Sequence, residues 1–167
     1  VNPGNNTTVV DINAPNKNGI SHNNYSQFDV GPTGVILNNS VNGADTHLGG
    51  QISGNANFNG SSAGLILNEV SGSASKINGM IEVGGDRADV VIANPAGITV
   101  NGGGFINVGK GTLAAGSINL KDGGVYEGVT VQNGRITFNA DFDANGTDYF
   151  GIISRGVAVN AIIHGGK

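Results

Sequence analysis

Two segments hold residue types at spacings that could do chemistry. Gly104-Phe105-Ile106-Asn107-Val108-Gly109-Lys110-Gly111 matches a phosphate-binding loop, except that Gly111 stands where a Ser or Thr would coordinate magnesium. Such a loop must also open a helix whose N-terminus holds the phosphate. The following Thr112-Leu113-Ala114-Ala115-Gly116-Ser117 is short and broken by glycine, so nucleotide binding is not expected. Asp141-Phe142-Asp143-Ala144-Asn145-Gly146 reads like the opening of an EF-hand loop, with oxygen ligands at alternate positions and Gly at the sixth. Its twelfth position is Ile152 in place of the bidentate Glu. Asp141, Asp143, Asn145 and Asp148 are the calcium candidates this leaves, with a solvated acidic turn as the commoner outcome.

The remaining chemistry-bearing residues are scattered. His22, His47 and His164 lie far apart in sequence, and with no cysteine the usual zinc spacings cannot occur. Ser21, His22, Asp45 and His47 could make a triad on paper, but no Gly-x-Ser-x-Gly elbow is present. The arginines, Arg87, Arg135 and Arg155, fall in separate segments. Acidic residues pair only at Asp86/Asp89 and between 141 and 148, so a surface salt bridge is expected for Arg87 with its acidic neighbours. Sequons at Asn5, Asn6, Asn38, Asn59 and Asn145 are what chance gives in an Asn-rich chain. The expectation is a protein without a catalytic site and without a cofactor.

The elements that would carry any site are short strands. At 167 residues the chain can bury a real core in one domain. Eight basic against twelve acidic side chains, a net charge of -4, leave no footprint for nucleic acid or an anionic membrane. There are 30 glycines and 24 asparagines, yet 38% of residues are hydrophobic and cluster in Val- and Ile-rich runs, which argues against disorder. Strands are expected at 8–12, 35–38, 65–70, 76–83, 89–93, 98–100, 105–108, 117–120, 128–131 and 135–139. Only 152–163 could be read as a helix, and Gly156, Val157 and Val159 weaken that reading. The start, Val1-Asn2-Pro3-Gly4, has neither a basic nor an apolar leader region, and no run is long enough to span a membrane. A signal peptide, if used, is expected outside this sequence.

Strands so closely spaced fit a sandwich, a barrel or a β-solenoid. Asn-Gly pairs at 18–19, 42–43, 59–60, 78–79, 101–102, 133–134 and 145–146 keep hairpins in play. Against that, Asn repeatedly ends an apolar run, at Asn38, Asn68, Asn94, Asn107 and Asn119. In a stacked solenoid such an Asn can take the left-handed region and bond to the coils above and below. No strict period runs through the chain. A β-helical enzyme or binding module acting on polysaccharide stays open on fold alone.

Ala14-Pro15-Asn16-Lys17-Asn18-Gly19-Ile20-Ser21-His22-Asn23-Asn24-Tyr25 and Phe28-Asp29-Val30 resemble the opening of the haemagglutination-activity, or two-partner secretion (TPS), domain. Gly34-Val35-Ile36-Leu37-Asn38-Asn39, Leu48-Gly49-Gly50, Ile66-Leu67-Asn68-Glu69-Val70, the run from Arg87 to Thr99, Gly104-Phe105-Ile106-Asn107 and the run from Asp148 to Arg155 follow in that family's order. The resemblance covers nearly the whole chain. It implies an all-β, right-handed parallel β-helix with short extra-helical strands or hairpins. It also implies that residues 1–167 are one domain at the N-terminus of a much larger exoprotein of the adhesin, haemolysin or contact-dependent inhibition type.

The implied partner is an outer-membrane TpsB-type transporter with periplasmic POTRA domains. The implied route runs through the periplasm to the surface of a Gram-negative cell, as a monomer, with no nucleic acid and no stable membrane insertion. Contact with a target cell would fall to downstream regions. Asn94-Pro95-Ala96-Gly97-Ile98 resembles the family's Asn-Pro-Asn-Gly-Ile motif, so Asn94, Pro95, Gly97 and Ile98 are candidate transporter-recognition or fold-determining residues. Asn55-Ala56-Asn57-Phe58 resembles its Asn-Pro-Asn-Leu motif without Pro and Leu, leaving Asn55, Asn57 and Phe58 as a degenerate second set. Where family members often carry a Cys pair, this chain has Val100 and Gly103.

Overall fold

The computed structural model describes residues 7–165, which wind into successive three-sided coils. Val1-Asn2-Pro3-Gly4 and the sequons at Asn5 and Asn6 lie outside the described residues. Coil one holds β1 (Thr8–Asp11) and β2 (Ile20–Tyr25), with a single bridge from Val30 to Ile77 on its third side. Coil two holds β3 (Val35–Asn39), an inserted hairpin of β4 (Ala44–Thr46) and β5 (Gly50–Ile52), then β6 (Leu65–Val70) and β7 (Ser75–Ile77). Coil three is β8 (Met80–Gly85), β9 (Ala88–Ala93) and β10 (Ile98–Val100).

Coil four is β11 (Gly104–Ile106), β12 (Val108–Ala114), a second inserted hairpin of β13 (Ser117–Lys121) and β14 (Val125–Thr130), and β15 (Arg135–Phe138). Coil five is β16 (Phe142–Ala144), β17 (Tyr149–Ile153) and β18 (Gly156–Val159), after which β19 (Ile163–Gly165) begins a sixth. Three parallel sheets result: β1-β3-β8-β11-β16-β19 on the first side, β2-β6-β9-β12-β17 on the second, and β7-β10-β15-β18 on the third. Among the described residues only the two inserted hairpins pair antiparallel. Parallel stacking of strands from successive coils is a β-helix, which removes the sandwich and the closed barrel.

The register explains why no period shows in the sequence. Ile98 pairs with Ser75, 23 residues earlier, and with Ile136, 38 residues later, because the 117–130 hairpin is inserted in that coil. The uninterrupted step from Arg135 to Gly156 is back to 21 residues, close to the earlier 23. Along each strand alternate side chains point inward. Leu37, Ile66, Ile77, Ile81, Val90, Ile92, Ile98 and Ile136 form the interior, all essentially sealed. Toward the later coils the filling becomes aromatic: Phe105 and Phe142 meet edge to face at 5.5 Å, and Phe142 stacks on Phe150 at 5.2 Å.

Several expected elements differ. The run at 76–83 is two strands on two sides of the helix, divided at Asn78-Gly79, and 105–108 is divided at Asn107. The segment 152–163 holds the end of β17, all of β18 and the first residue of β19 rather than a helix, since β17 and β18 each have a parallel partner in coil four. None of the seven Asn-Gly pairs makes a hairpin turn; those turns fall at His47-Leu48-Gly49 and Asp122-Gly123-Gly124, while the Asn-Gly pairs occupy corners and loops.

The run-end asparagines do bridge coils, but only Asn107 does so from left-handed backbone. Asn107, at φ 61°, is the only non-glycine with positive φ among the described residues, because glycines such as Gly85 and Gly97 take the left-handed corners. Asn38 donates to Asp11, Asn68 to the Val91 carbonyl, and Asn107 to the Val83 carbonyl. Asn139 donates to Asn101, which donates to Asn78, so one corner carries an amide ladder. Asn119 instead bonds Thr130 inside its own hairpin.

Candidate functional site

The Asn94–Ile98 motif turns the chain from the second side of the helix to the third. Asn94 Oδ1 accepts the Ala96 N–H at 2.9 Å and its carbonyl accepts the Gly97 N–H at 3.0 Å, so side chain and main chain close the same turn. Its amide donates down to coil two, to the Ser73 carbonyl at 2.8 Å and the Ser75 hydroxyl at 2.9 Å. Its N–H donates up to the Ala114 carbonyl of coil four at 2.9 Å. Every polar group of the buried Asn94 is therefore engaged. Gly97 is needed twice over: its φ is +111°, and a Cβ there would stand 2.9 Å from the Arg135 carbonyl oxygen. Ile98 is sealed in the core, whereas Pro95 and Ala96 face solvent.

The degenerate motif repeats that geometry at another corner. Asn55 Oδ1 accepts the Asn57 N–H at 2.8 Å, and its carbonyl accepts the Phe58 N–H at 3.1 Å. Its buried amide donates to the carbonyls of Ile12 and Asn38, both at 2.9 Å, and Asn57 adds a bond to Asp11 at 3.1 Å. Ala56 occupies the exposed second position that Pro95 fills in the other turn, so the turn closes without proline. Phe58 is half-buried against the core. The bonded partners of the two motifs share no residue, so they are separate stitches rather than one site.

Asn16 makes a third such turn, its Oδ1 accepting the Asn18 N–H at 2.9 Å and its carbonyl the Gly19 N–H at 2.9 Å. Sequence reasoning did not group it with the other two. The shared signal was an Asn leading a two-residue step to a second polar or small residue.

The calcium candidates are not gathered round one point. Asp141 takes the Ile162 N–H at 2.8 Å and faces His164 at 3.3 Å, Asp143 caps the Asn145 N–H, and Asp148 pairs with Arg87 at 3.1 Å. Among the described residues no group of three His, Asp or Glu side chains is placed to hold a metal ion. The Ile162 amide, and next the His164 ring, hold the Asp141 carboxyl below its ordinary range.

Arg87 reaches past its sequence neighbours to the Val108 carbonyl at 2.9 Å and to Asp148, tying coils three, four and five. Asp86 and Asp89 bond Ser62 and the Lys110 N–H instead. The phosphate-loop look-alike is β11, the Asn107 corner and the start of β12, and Gly111 is there because the Phe105 ring fills the space of its missing Cβ. His22 pairs with Glu69 at 3.1 Å, and neither His47 nor Asp45 joins them.

A three-sided parallel β-helix with two inserted hairpins, its corners closed by buried Asn turns, defines a scaffold of the β-solenoid class. The sequence profile of the TPS secretion domain matches residues 1–167, and the chain belongs to that family. It is 46% identical over 164 residues to a tRNA nuclease CdiA of Yersinia mollaretii, covering 96% of this chain and 6% of that protein. It is 44% identical over 155 residues to tRNA nuclease CdiA-2 of Burkholderia pseudomallei, covering 91% of this chain and 5% of that protein. The chain thus spans about one-twentieth of the length of these relatives. The crystal structure of a filamentous hemagglutinin secretion domain superposes with a TM-score of 0.85 at 39% identity, covering 91% of this chain and 51% of that one. TPS domains serve exoproteins that are secreted or surface-exposed in Gram-negative bacteria, and they act with a TpsB-type transporter.

Proposed function

We propose that this domain is an export address: the POTRA domains of a TpsB-type transporter read it in the periplasm while it is still extended, and it then folds outside the cell as a monomeric template for later coils. Residues 1–167 act as one module in this reading, and the reading assigns it no catalysis. Whatever nuclease action the names of its relatives describe belongs to the rest of those long proteins, of which this chain matches about one-twentieth.

The observation that carries the extended-chain reading is the state of the two motifs once folded. Asn94 and Asn55 are buried with their amides fully engaged, so a transporter that uses those side chains must meet them before the coils close. Only Pro95, Ala96, Ala56 and Asn57 remain exposed for a partner of the folded domain. The test is export of the domain with and without its cognate transporter, joined to binding of isolated POTRA domains to folded and urea-unfolded chain. Transporter-dependent export with preference for the unfolded chain is expected. Equal export in both strains would overturn the address, and preference for the folded chain would overturn the order of events.

A further inference from the structure

The hairpin that leaves coil four reaches back along the second sheet to coil one. Ile118, Tyr126 and Val129 of β13 and β14 pack on the outer face of that sheet, against Ile20, Leu67, Val91, Ala93 and Ala114. Those five residues come from β2, β6, β9 and β12, so the hairpin crosses four strands from four different coils. Burial pushes the Tyr126 hydroxyl pKa up, in keeping with a ring laid against the sheet. At the hairpin's tip the Gly123 carbonyl accepts the Asn18 amide at 3.0 Å and the Gly124 carbonyl accepts the Asn16 amide at 3.2 Å. These partners are 105 and 108 residues apart. Both glycines have positive φ, and a Cβ on Gly124 would stand 2.5 Å from Asn16 Nδ2. Near the hairpin's base, Glu69 of coil two accepts the Ile118 N–H at 3.2 Å while its other oxygen faces His22.

What the tip holds is an edge strand of that sheet. β2 is its outermost member, hydrogen-bonded to β6 on one side alone, and a solenoid frays from its terminal units. The Asn16–Gly19 turn runs directly into β2. We propose that the β13–β14 hairpin is a latch that secures coil one from coil four, so that the first four coils form one cooperative unit instead of a stack stabilised neighbour by neighbour. A chain supplied N-terminus first would keep β2 labile until residue 130 is available to close the hairpin. This holds whether or not a transporter reads the domain, since it rests on contacts within the folded chain.

The experiment is amide hydrogen exchange on the full chain carrying Asn16→Asp and Asn18→Asp, which keep a side-chain acceptor for the turn and remove both donors to the hairpin. A second variant, Tyr126→Ala, lifts the apolar cover and leaves the tip bonds in place. Exchange of the Ser21–Tyr25 amides is expected to rise about tenfold or more in each, with β15 and β18 unchanged. The latch is overturned if β2 keeps its wild-type protection while residues 117–130 exchange faster, since the hairpin would then be a passive flap. It is equally overturned if all three sheets accelerate alike.

Discussion

Asn94 donates its side-chain amide to the hydroxyl of Ser75 at 2.9 Å, one coil away, and neither residue has surface open to solvent. An aspartate at position 94 keeps the shape and the acceptor for the Ala96 N–H but turns both downward donors into a charged acceptor facing the Ser73 carbonyl. Asn94→Asp is therefore expected to cost about 3 kcal/mol or more, and Asn94→Ala about 2 kcal/mol through the acceptors left bare. Urea unfolding of the purified domain reads both, and an aspartate variant as stable as the alanine one would contradict the assignment.

The exposed and buried members of the same turn should separate sharply. Pro95 faces solvent, so Pro95→Ala acts mainly by loosening the unfolded chain and is expected to cost about 0.5–1 kcal/mol. Gly97→Ala forces a side chain into φ +111° and toward the Arg135 carbonyl, for about 2 kcal/mol or more. Thermal melts of the two variants should rank in that order. If Pro95→Ala abolishes export while leaving the melt intact, Pro95 contacts the transporter as well as shaping the fold.

Much of this was legible in the residues, and what was not has physical causes. Runs such as Val90-Val91-Ile92 announce themselves as strands because both faces are covered, the outer one by the latch hairpin. β2, Ile20-Ser21-His22-Asn23-Asn24-Tyr25, was invisible to apolar patterning because its inward Ser21 and Asn23 are satisfied by hydrogen bonds rather than by packing. β12 was hidden by Gly109 and Gly111, which are set by Asp89 and the Phe105 ring pressing on them and not by a turn. The motif residues could be picked out in sequence. That Asn55 and Asn94 make the same turn at unrelated corners could not, because it depends on carbonyls of Ile12, Asn38 and Ser73 that only coil stacking brings near.

Glu82 shows how a single carboxylate fastens an inserted hairpin. It is buried on the outer side of β8, and its two oxygens accept the His47 and Leu48 N–H groups, each at 2.8 Å. Glutamine offers one acceptor and points an NH2 at the other N–H. Glu82→Gln is expected to cost about 2 kcal/mol and to raise exchange at His47 and Leu48. Retained protection at both amides would show that the β4–β5 turn is held by something else, such as Ile52 and Thr46 packed over Gly84.

Acid should loosen the last coils at one identifiable bond. The Asp141 carboxyl lies below its ordinary value of 3.8, first because the Ile162 N–H donates to it and next because His164 does. A carboxylate whose folded pKa is depressed contributes stability that is present above the unfolded value and is lost as pH falls through the folded one. The Ile162 amide shift is therefore expected to titrate with a midpoint below 3.8, and the pairing of Phe142 with Ile163 to weaken over the same window. Asp141→Asn should abolish that titration while keeping an acceptor for the Ile162 N–H. A midpoint at or above 3.8 in the wild-type chain would mean that the Asp141–Ile162 bond does not persist in solution, and that β19 is held to β16 by its backbone ladder and the burial of Ile163 alone.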